Sequence, residues 1–357
     1  MKWAEITEDF KVRNGMTPQS KPWFAQIAGP SESAAPSPCG IISVTGADAV
    51  SFLHNQLTNS VEGLQAGDLR LAGYCSVKGR LLADFLVWRD DSAGVEGAEG
   101  VPRILLLVNR ELLAPLQKRL SMYVLRAKAK LADASAEFAV LGLVDTSQTL
   151  PQKLPVNSRR MALAAGLQRI ISTASELPEV RAALLTTHQE APAAAWEAHR
   201  IAQGVPHLQL ATQDKFVPQM VNFELLGGID FKKGCFPGQE VVARSQYLGK
   251  MKRRSFLGSV GDDRDGGTDG GTDCGTDGST VAALAGAPLF AVGGEEIGNV
   301  VNAVAAIGGG LAVLAELPTD AATEGAVALG RPDGPLLSFY ALPYDIPVPA
   351  PMVRPKL

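Results

Sequence analysis

The chain has 357 residues, 46% of them hydrophobic, and a formal charge of −4. That is enough chain for more than one core, and its charge excludes a protein coated with basic surface for nucleic acid. Its longest apolar runs, such as 104–108 and 281–287, fall far short of the roughly 20 residues needed to cross a bilayer, so no membrane partner is expected.

Residues 1–38 read as an irregular N-terminal arm, with Pro, Ser and Ala crowded into 29–38. The N-terminus mixes Lys2, Lys11 and Arg13 with Glu5, Glu8 and Asp9, which fits neither a signal peptide nor an Arg-rich transit peptide. By elimination, a cytoplasmic location is expected. An α+β region is predicted over 39–135. It opens with a strand at Ile41–Val44 and a helix carrying Val50, Leu53, Leu57 and Val61 at helical spacing. Strands over 69–76 and 81–89 flank a hairpin turn at Val77-Lys78-Gly79-Arg80. After a strand at 103–108, Asn109 suits an N-cap, and 110–122 suits a helix with Leu112, Leu113, Leu116 and Leu120 on one side. Residues 124–131 extend as a strand.

A second α+β region, 136–255, repeats the theme, with strands at Phe138–Val144 and 168–171 and helices over 176–185 and 193–203. Gly204 and Pro206 terminate the last helix. Residues 256–285 form a low-complexity insert in which Gly-Thr-Asp occurs three times, so disorder is predicted. Short apolar runs between glycines over 286–345 suit a small C-terminal β-barrel, and 346–357 an irregular tail. Helices separated by several strands favour α+β over a parallel nucleotide-binding sheet.

The most informative chemistry lies between Lys232 and Arg244. Cys235 stands between Gly234 and Gly238, beside Lys232 and Lys233, and is followed by Gln239, Glu240 and Arg244. Nearby cations favour a thiolate, so Cys235 is a candidate functional thiol rather than a buried, inert one. The other cysteines, Cys39, Cys75 and Cys274, lack such company. No Cys-x-x-Cys or Cys/His spacing suggests a metal site or a disulfide framework, which is consistent with a reducing compartment. His54, His199 and His207 sit at no regular ligand spacing. A Cys/His nucleophile pair stays open, because such partners meet in space rather than in sequence. Trp196 is either core packing or a stacking surface for a flat heterocycle. The run Lys250-Met-Lys-Arg-Arg254 is either a solvated strand end or an attractor for a polyanionic tail or RNA phosphate. From Lys232 to Arg254 seven basic residues face one acid, Glu240.

The stretch Phe216-Val-Pro-Gln-Met-Val-Asn222, followed by Leu226-Gly-Gly-Ile-Asp-Phe-Lys-Lys-Gly-Cys-Phe-Pro-Gly-Gln-Glu-Val-Val-Ala-Arg244, closely resembles the YgfZ-type folate-binding proteins, relatives of the glycine-cleavage T-protein. Val44-Thr-Gly-Ala-Asp-Ala, His54-Asn-Gln-Leu-Thr-Asn-Ser-Val61 and Ile297-Gly-Asn-Val300 extend the likeness to most of the chain from Gly40 onward. The resemblance implies a three-domain ring around a central tetrahydrofolate pocket, with ferredoxin-like α+β regions and a terminal β-barrel. It also implies a role in assembling or repairing iron-sulfur proteins, with client enzymes that thiolate tRNA as partners. By this likeness Cys235 is the signature thiol, framed by Lys233, Gly234, Gly238, Gln239, Glu240 and Arg244. Trp196 matches an aromatic residue associated with the folate pocket, and Gln219 and Asn222 are expected to line it.

Departures narrow the expectation. Cys39 stands where some family members carry tryptophan, and Phe236-Pro237 where Tyr and Thr are common. Two carboxylate positions of the T-protein read Ala83-Asp84 and Arg200-Ile-Ala202 here. Ala202 cannot orient a substrate amine or assist proton movement. An accessory factor is therefore favoured over the alternative, a folate-dependent aminomethyltransferase.

Overall fold

The structure is a computed structural model and describes residues 22–30, 36–65, 67–90, 103–144, 154–155, 157–163, 167–247, 251–261, 284–305 and 310–347. The repeated Gly-Thr-Asp segment and the C-terminal tail beyond 347 lie outside the described residues.

The first half comprises β1 (Trp23–Ala28), β2 (Cys39–Thr45), α1 (Ala49–Gln56), β3 (Arg70–Cys75), β4 (Leu81–Asp90), β5 (Arg103–Asn109), α2 (Arg110–Val124) and β6 (Lys130–Asp133). Strands β3 and β4 pair antiparallel around the predicted turn. Helix α2 begins where expected, because the Asn109 side chain accepts a hydrogen bond from the Glu111 amide at 3.0 Å. Its apolar stripe, Leu112, Leu113, Leu116 and Leu120, is buried. The strand expected at 124–131 is shorter and later, since α2 runs to Val124 before β6.

The second half comprises β7 (Phe138–Val144), β8 (Arg159–Ala162), β9 (Gln168–Thr173), α3 (Leu177–Leu185), β10 (Gln189–Glu190) and α4 (Ala193–Ala202). A long coil follows, then α5 (Gln239–Tyr247) and β11 (Arg253–Val260). The chain closes with β12 (Pro288–Ala291), β13 (Glu296–Ala305), β14 (Leu311–Pro318), α6 (Ala321–Glu324), β15 (Val327–Leu329) and β16 (Ser338–Tyr340).

Both halves share one ten-stranded sheet, ordered β3-β4-β5-β2-β1-β7-β9-β8, with β6 on β2 and β10 on β1. Strand β1 is the seam: it runs antiparallel to β7 and meets β2 through the single pair Ala28↔Cys39. Residues 23–28 are therefore not part of an irregular arm. Phe24, Ala25 and Ala28 are fully buried. A strand covered on both faces reads as a short apolar run without alternation, which periodicity does not reveal.

A second sheet of six antiparallel strands, ordered β15-β12-β13-β14-β11-β16, forms the C-terminal part. Strand β11 belongs to it, so a boundary between 255 and 256 cuts through a strand. Helix α4 packs on β13 and β14. One apolar cluster runs from Ile41 and Phe85 through Trp196 and Ile201 to Val301, Val304 and Leu314. A fully buried side chain of this kind contributes about 1.5–3 kcal/mol. The architecture is mixed α/β with curled sheets.

Candidate functional site

The Cys235 segment is held against the first hairpin by close backbone packing. Gly238 adopts φ +77°, and a Cβ there would lie 2.3 Å from the Ser76 carbonyl oxygen; one on Gly79 would lie 2.7 Å from the Val241 Cβ. Only glycine tolerates both the conformation and the approach. The Phe236 amide donates to the Gln239 Oε1 at 3.2 Å, which fixes the turn leading into α5. Phe236 is buried and Cys235 is exposed.

Lys233 Nζ lies 4.9 Å from the centre of the Phe236 ring. Burial pushes its ammonium down to about 8, against the opposing charges of Asp230, Cys235 and Glu62. His54 Nε2 would be 3.8 Å from a Cβ on Gly234, while its Nδ1 stands 3.3 Å from the Ser60 hydroxyl. Glu240 and Arg244 form an exposed ion pair at 3.0 Å, a geometry worth little in water.

A cavity of about 310 Å³ lies elsewhere, lined from both halves of the large sheet, from α4 and from β13. Its apolar wall includes Ile27, Leu71, Leu86, Leu107, Val205 and Val304, and its charged groups are Asp84, Arg169, Glu197, Arg200 and His207. Trp196 also lines it. The indole abuts β7, since a Cβ on Gly142 would fall 2.2 Å from its ring, and Arg169 lies over it at 5.0 Å.

The charges are paired with one exception. Burial opposes ionisation of Glu197, but the charge and hydrogen bonds of Arg200 hold it below the usual carboxylate range. Burial likewise opposes Asp84. It is held low by the charge and hydrogen bond of His207 at 3.0 Å, by the Leu208 amide at 2.6 Å and by Arg200. Burial would neutralise His207, yet Asp84 and Cys39 raise it to about 10. Its Nε2 stands 3.6 Å from the Cys39 sulfur. Arg169 is the exception: burial lowers its guanidinium to about 9, and its Nε has no hydrogen-bond partner.

The structure therefore separates residues that the sequence grouped together. Trp196 is on the cavity, whereas Cys235 and its motif are not among the lining residues. Nor do Gln219 and Asn222 line it. Gln219 Nε2 donates to the Val242 carbonyl at 2.8 Å, and Asn222 Nδ2 donates to the Ser255 carbonyl at 2.8 Å and reaches the Tyr344 hydroxyl at 3.3 Å. Both fasten the coil to α5 and to the small sheet. Cys39, expected to stand alone, has His207 and Asp84 beside it. No periodicity linked these three, nor Arg169; only the folded seam does.

The basic run leads into β11, in keeping with the first of its two readings. Lys250 lies outside the described residues, Arg253 pairs with Glu316 at 2.5 Å, and Arg254 is buried on Glu224 and the Gln219 carbonyl. Two of its cations are thus taken up internally, which weakens the case for RNA contact. No helix among the described residues is long and apolar enough to cross a membrane.

No family model matches the chain. It is 30% identical over 227 residues to the iron-sulfur cluster assembly factor IBA57 homolog, mitochondrial, of Mycosarcoma maydis, covering 60% of this chain and 54% of that protein. It is 31% identical over 232 residues to the tRNA-modifying protein YgfZ of Edwardsiella ictaluri, covering 60% and 67%. To the YgfZ of Vibrio vulnificus strain YJ016 it is 28% identical, covering 60% and 65%. The chain thus spans from a little over half to about two thirds of these relatives. Among solved structures, the glycine cleavage system aminomethyltransferase T of Bartonella henselae superposes with TM-score 0.63 at 16% identity, over 94% of this chain and 89% of that one. With 31% identity over two thirds of the tRNA-modifying protein YgfZ, the chain belongs to the YgfZ family, and it shares its fold with the aminomethyltransferase.

Proposed function

We propose that this chain binds a tetrahydrofolate in the cavity and supports the assembly or repair of iron-sulfur enzymes, including those that thiolate tRNA, with Cys235 as its functional thiol. The observation that carries this reading is the exposure of Cys235 on a backbone frame built to present it. A packing cysteine needs neither the Gly238 approach to Ser76 nor a half-buried lysine two residues before it. The names of the relatives, a tRNA-modifying protein and an iron-sulfur cluster assembly factor, support the same reading. A cytoplasmic site of action belongs to this proposal.

The cavity suits a flat, amphipathic heterocycle. Its volume lies at the small end of the range for ligand pockets, and its walls are largely apolar with a few convergent polar groups. The unpartnered Arg169 Nε would donate to a ring or carbonyl oxygen. Trp196 would contribute wall rather than an open stacking face, because Arg169 already covers its ring. The folate would supply a carrier for one-carbon units or a structural core.

Cys235→Ala should lower tRNA thiolation in cells lacking the native protein, while calorimetry shows tetrahydrofolate binding retained. Normal thiolation in that variant would remove Cys235 from the function. Aminomethyl transfer has less support, because both carboxylates on the cavity, Asp84 and Glu197, are already paired. Catalytic release of methylenetetrahydrofolate from an amine donor would reinstate it.

A further inference from the structure

Cys39, His207 and Asp84 all line the cavity. The sulfur lies 3.6 Å from His207 Nε2, and His207 Nδ1 lies 3.0 Å from Asp84 Oδ2. Asp84 Oδ1 is fixed in turn by the Leu208 amide at 2.6 Å. The His207 backbone is held on both sides by Asn302 of β13, which accepts from its amide at 3.0 Å and donates to its carbonyl at 2.8 Å. Thiol, imidazole and carboxylate in this order form the arrangement in which a base carries the thiol proton while an acid fixes its orientation.

A second observation points to a ligand. Arg169 is only 3% exposed and lines the same cavity; its Nη1 donates to the Leu167 carbonyl at 3.5 Å, yet its Nε has no partner. Unmatched buried donors are rare in folded proteins, and a ligand oxygen would complete this one. Cys75 provides the contrast. It is also free but more deeply buried, 1% exposed against 7% for Cys39, and it does not line the cavity; burial pushes it up to about 12, and the charge that acts on it is a carboxylate, Asp214. The charged groups facing the Cys39 and His207 pair are Asp84 on β4, Arg169 on β9, Glu197 and Arg200 on α4, and Arg110 at the start of α2, which donates to the Cys39 carbonyl at 2.9 Å.

We infer that the cavity is a nucleophilic site at which Cys39 accepts the acyl group of a small acyl compound, with His207 as proton carrier, Asp84 as its orienting partner and Arg169 directed at the acyl oxygen. The pair holds its shared proton on His207, in keeping with the Asp84 carboxylate beside that ring, and the Cys39 sulfur bonds to the acyl carbon. The bond from that carbon to the leaving group breaks, and the leaving group departs with the electron pair and takes the His207 proton. A Cys39 thioester results. Water then adds to the thioester with the now neutral His207 accepting its proton, the carboxylic acid leaves with its carbonyl carbon released from sulfur, and the pair is restored with the proton on His207. No oxidant or reductant enters. The inference goes beyond the folate reading and does not depend on it.

The full-length chain carrying Cys235→Ser, which removes the exposed thiol, is treated with 4-nitrophenyl acetate. Nitrophenolate release is followed by absorbance and the acetyl group is located by peptide mass spectrometry. A burst of about one equivalent with acetyl on Cys39 and none on Cys75 is expected. His207→Asn should slow acetylation of Cys39 by about tenfold or more, and Arg169→Met should slow it too. If either variant fails to fold, the comparison of Cys39 with Cys75 in the chain with an unaltered cavity decides. Absence of acetyl from Cys39, or a rate indifferent to His207→Asn, would overturn the inference. Repeating the reaction with tetrahydrofolate separates the two proposals. Protection of Cys39 supports both, acetylation that ignores folate leaves only the acyl site, and folate binding without any acetylation leaves only the folate reading.

Discussion

His207 Nδ1 stands 3.0 Å from the Asp84 carboxylate although 123 residues separate them in the chain. The contact ties the coil after α4 to the hairpin strand β4, at the place where both halves of the large sheet and the small sheet converge. Its two groups are shifted in opposite directions, so the pair is ionised over a wide range.

A pH dependence of stability follows from those directions. His207, raised to about 10, contributes in full below its unfolded value of about 6.5, and the contribution is lost as pH rises through about 10. Asp84, held low, contributes above its unfolded value of about 3.9 and loses this as pH falls through its folded value. Both are therefore fully effective only between about pH 4 and 6.5. Asp84→Asn leaves a buried imidazolium unpaired, which costs about 3–5 kcal/mol where the pair is complete. Melting curves followed by circular dichroism should show its largest loss of Tm near pH 6 and a smaller one near pH 10. Equal losses at both would contradict the assignment.

Gly238 and Gly234 flank the same thiol but should respond differently to alanine. At Gly238 the positive φ and the 2.3 Å approach to the Ser76 oxygen forbid a side chain. Gly238→Ala should cost more than about 1 kcal/mol in urea denaturation. At Gly234 a Cβ would meet only His54 Nε2 at 3.8 Å, so Gly234→Ala should stay within about 0.5 kcal/mol. A reversed order would show that the frame around Cys235 is misassigned.

Lys233 should stand out chemically among the lysines. With its ammonium lowered to about 8, about half of it is neutral at that pH, roughly a hundredfold more than for an ordinary lysine near 10.4. Brief acetic anhydride labelling at pH 8, read by peptide mass spectrometry, should modify Lys233 ahead of Lys232. Phe236→Ala opens the contact with the ring and should reduce the difference.

What the sequence disclosed depended on whether a signal was local. Helix α2 was legible because its cap and its leucine stripe lie within a few residues of each other, and the turn at 76–80 because Lys78-Gly79 sits between two apolar runs. The exposure of Cys235 agrees with its glycine and lysine neighbours in sequence. Strand β1 was not legible, because a run with five of its six residues buried and no alternation carries no period. Nor was Cys39 legible as part of a cluster, since it reaches His207 only after β2 has docked at the seam through Ala28. The basic run left two readings open because net charge along the chain says nothing about partners across it; Glu224 and Glu316 neutralise Arg254 and Arg253 from distant positions.

Asn222 gives the sharpest separation of a fastening role from a binding one. It adopts the left-handed conformation at φ +57°, which asparagine tolerates better than most residues. Its side chain donates to the Ser255 carbonyl and reaches Tyr344, joining the coil to β11 and to the segment after β16. Asn222→Ala removes both hydrogen bonds and places alanine at positive φ, a combined loss of about 1–3 kcal/mol. Asn222→Gly relieves the backbone but not the lost bonds, so it should fall between alanine and the native residue. Because Asn222 does not line the cavity, tetrahydrofolate affinity measured by calorimetry well below the melting temperature should remain within about twofold of the native value in both variants. A large fall in affinity with unchanged stability would place Asn222 at the ligand after all.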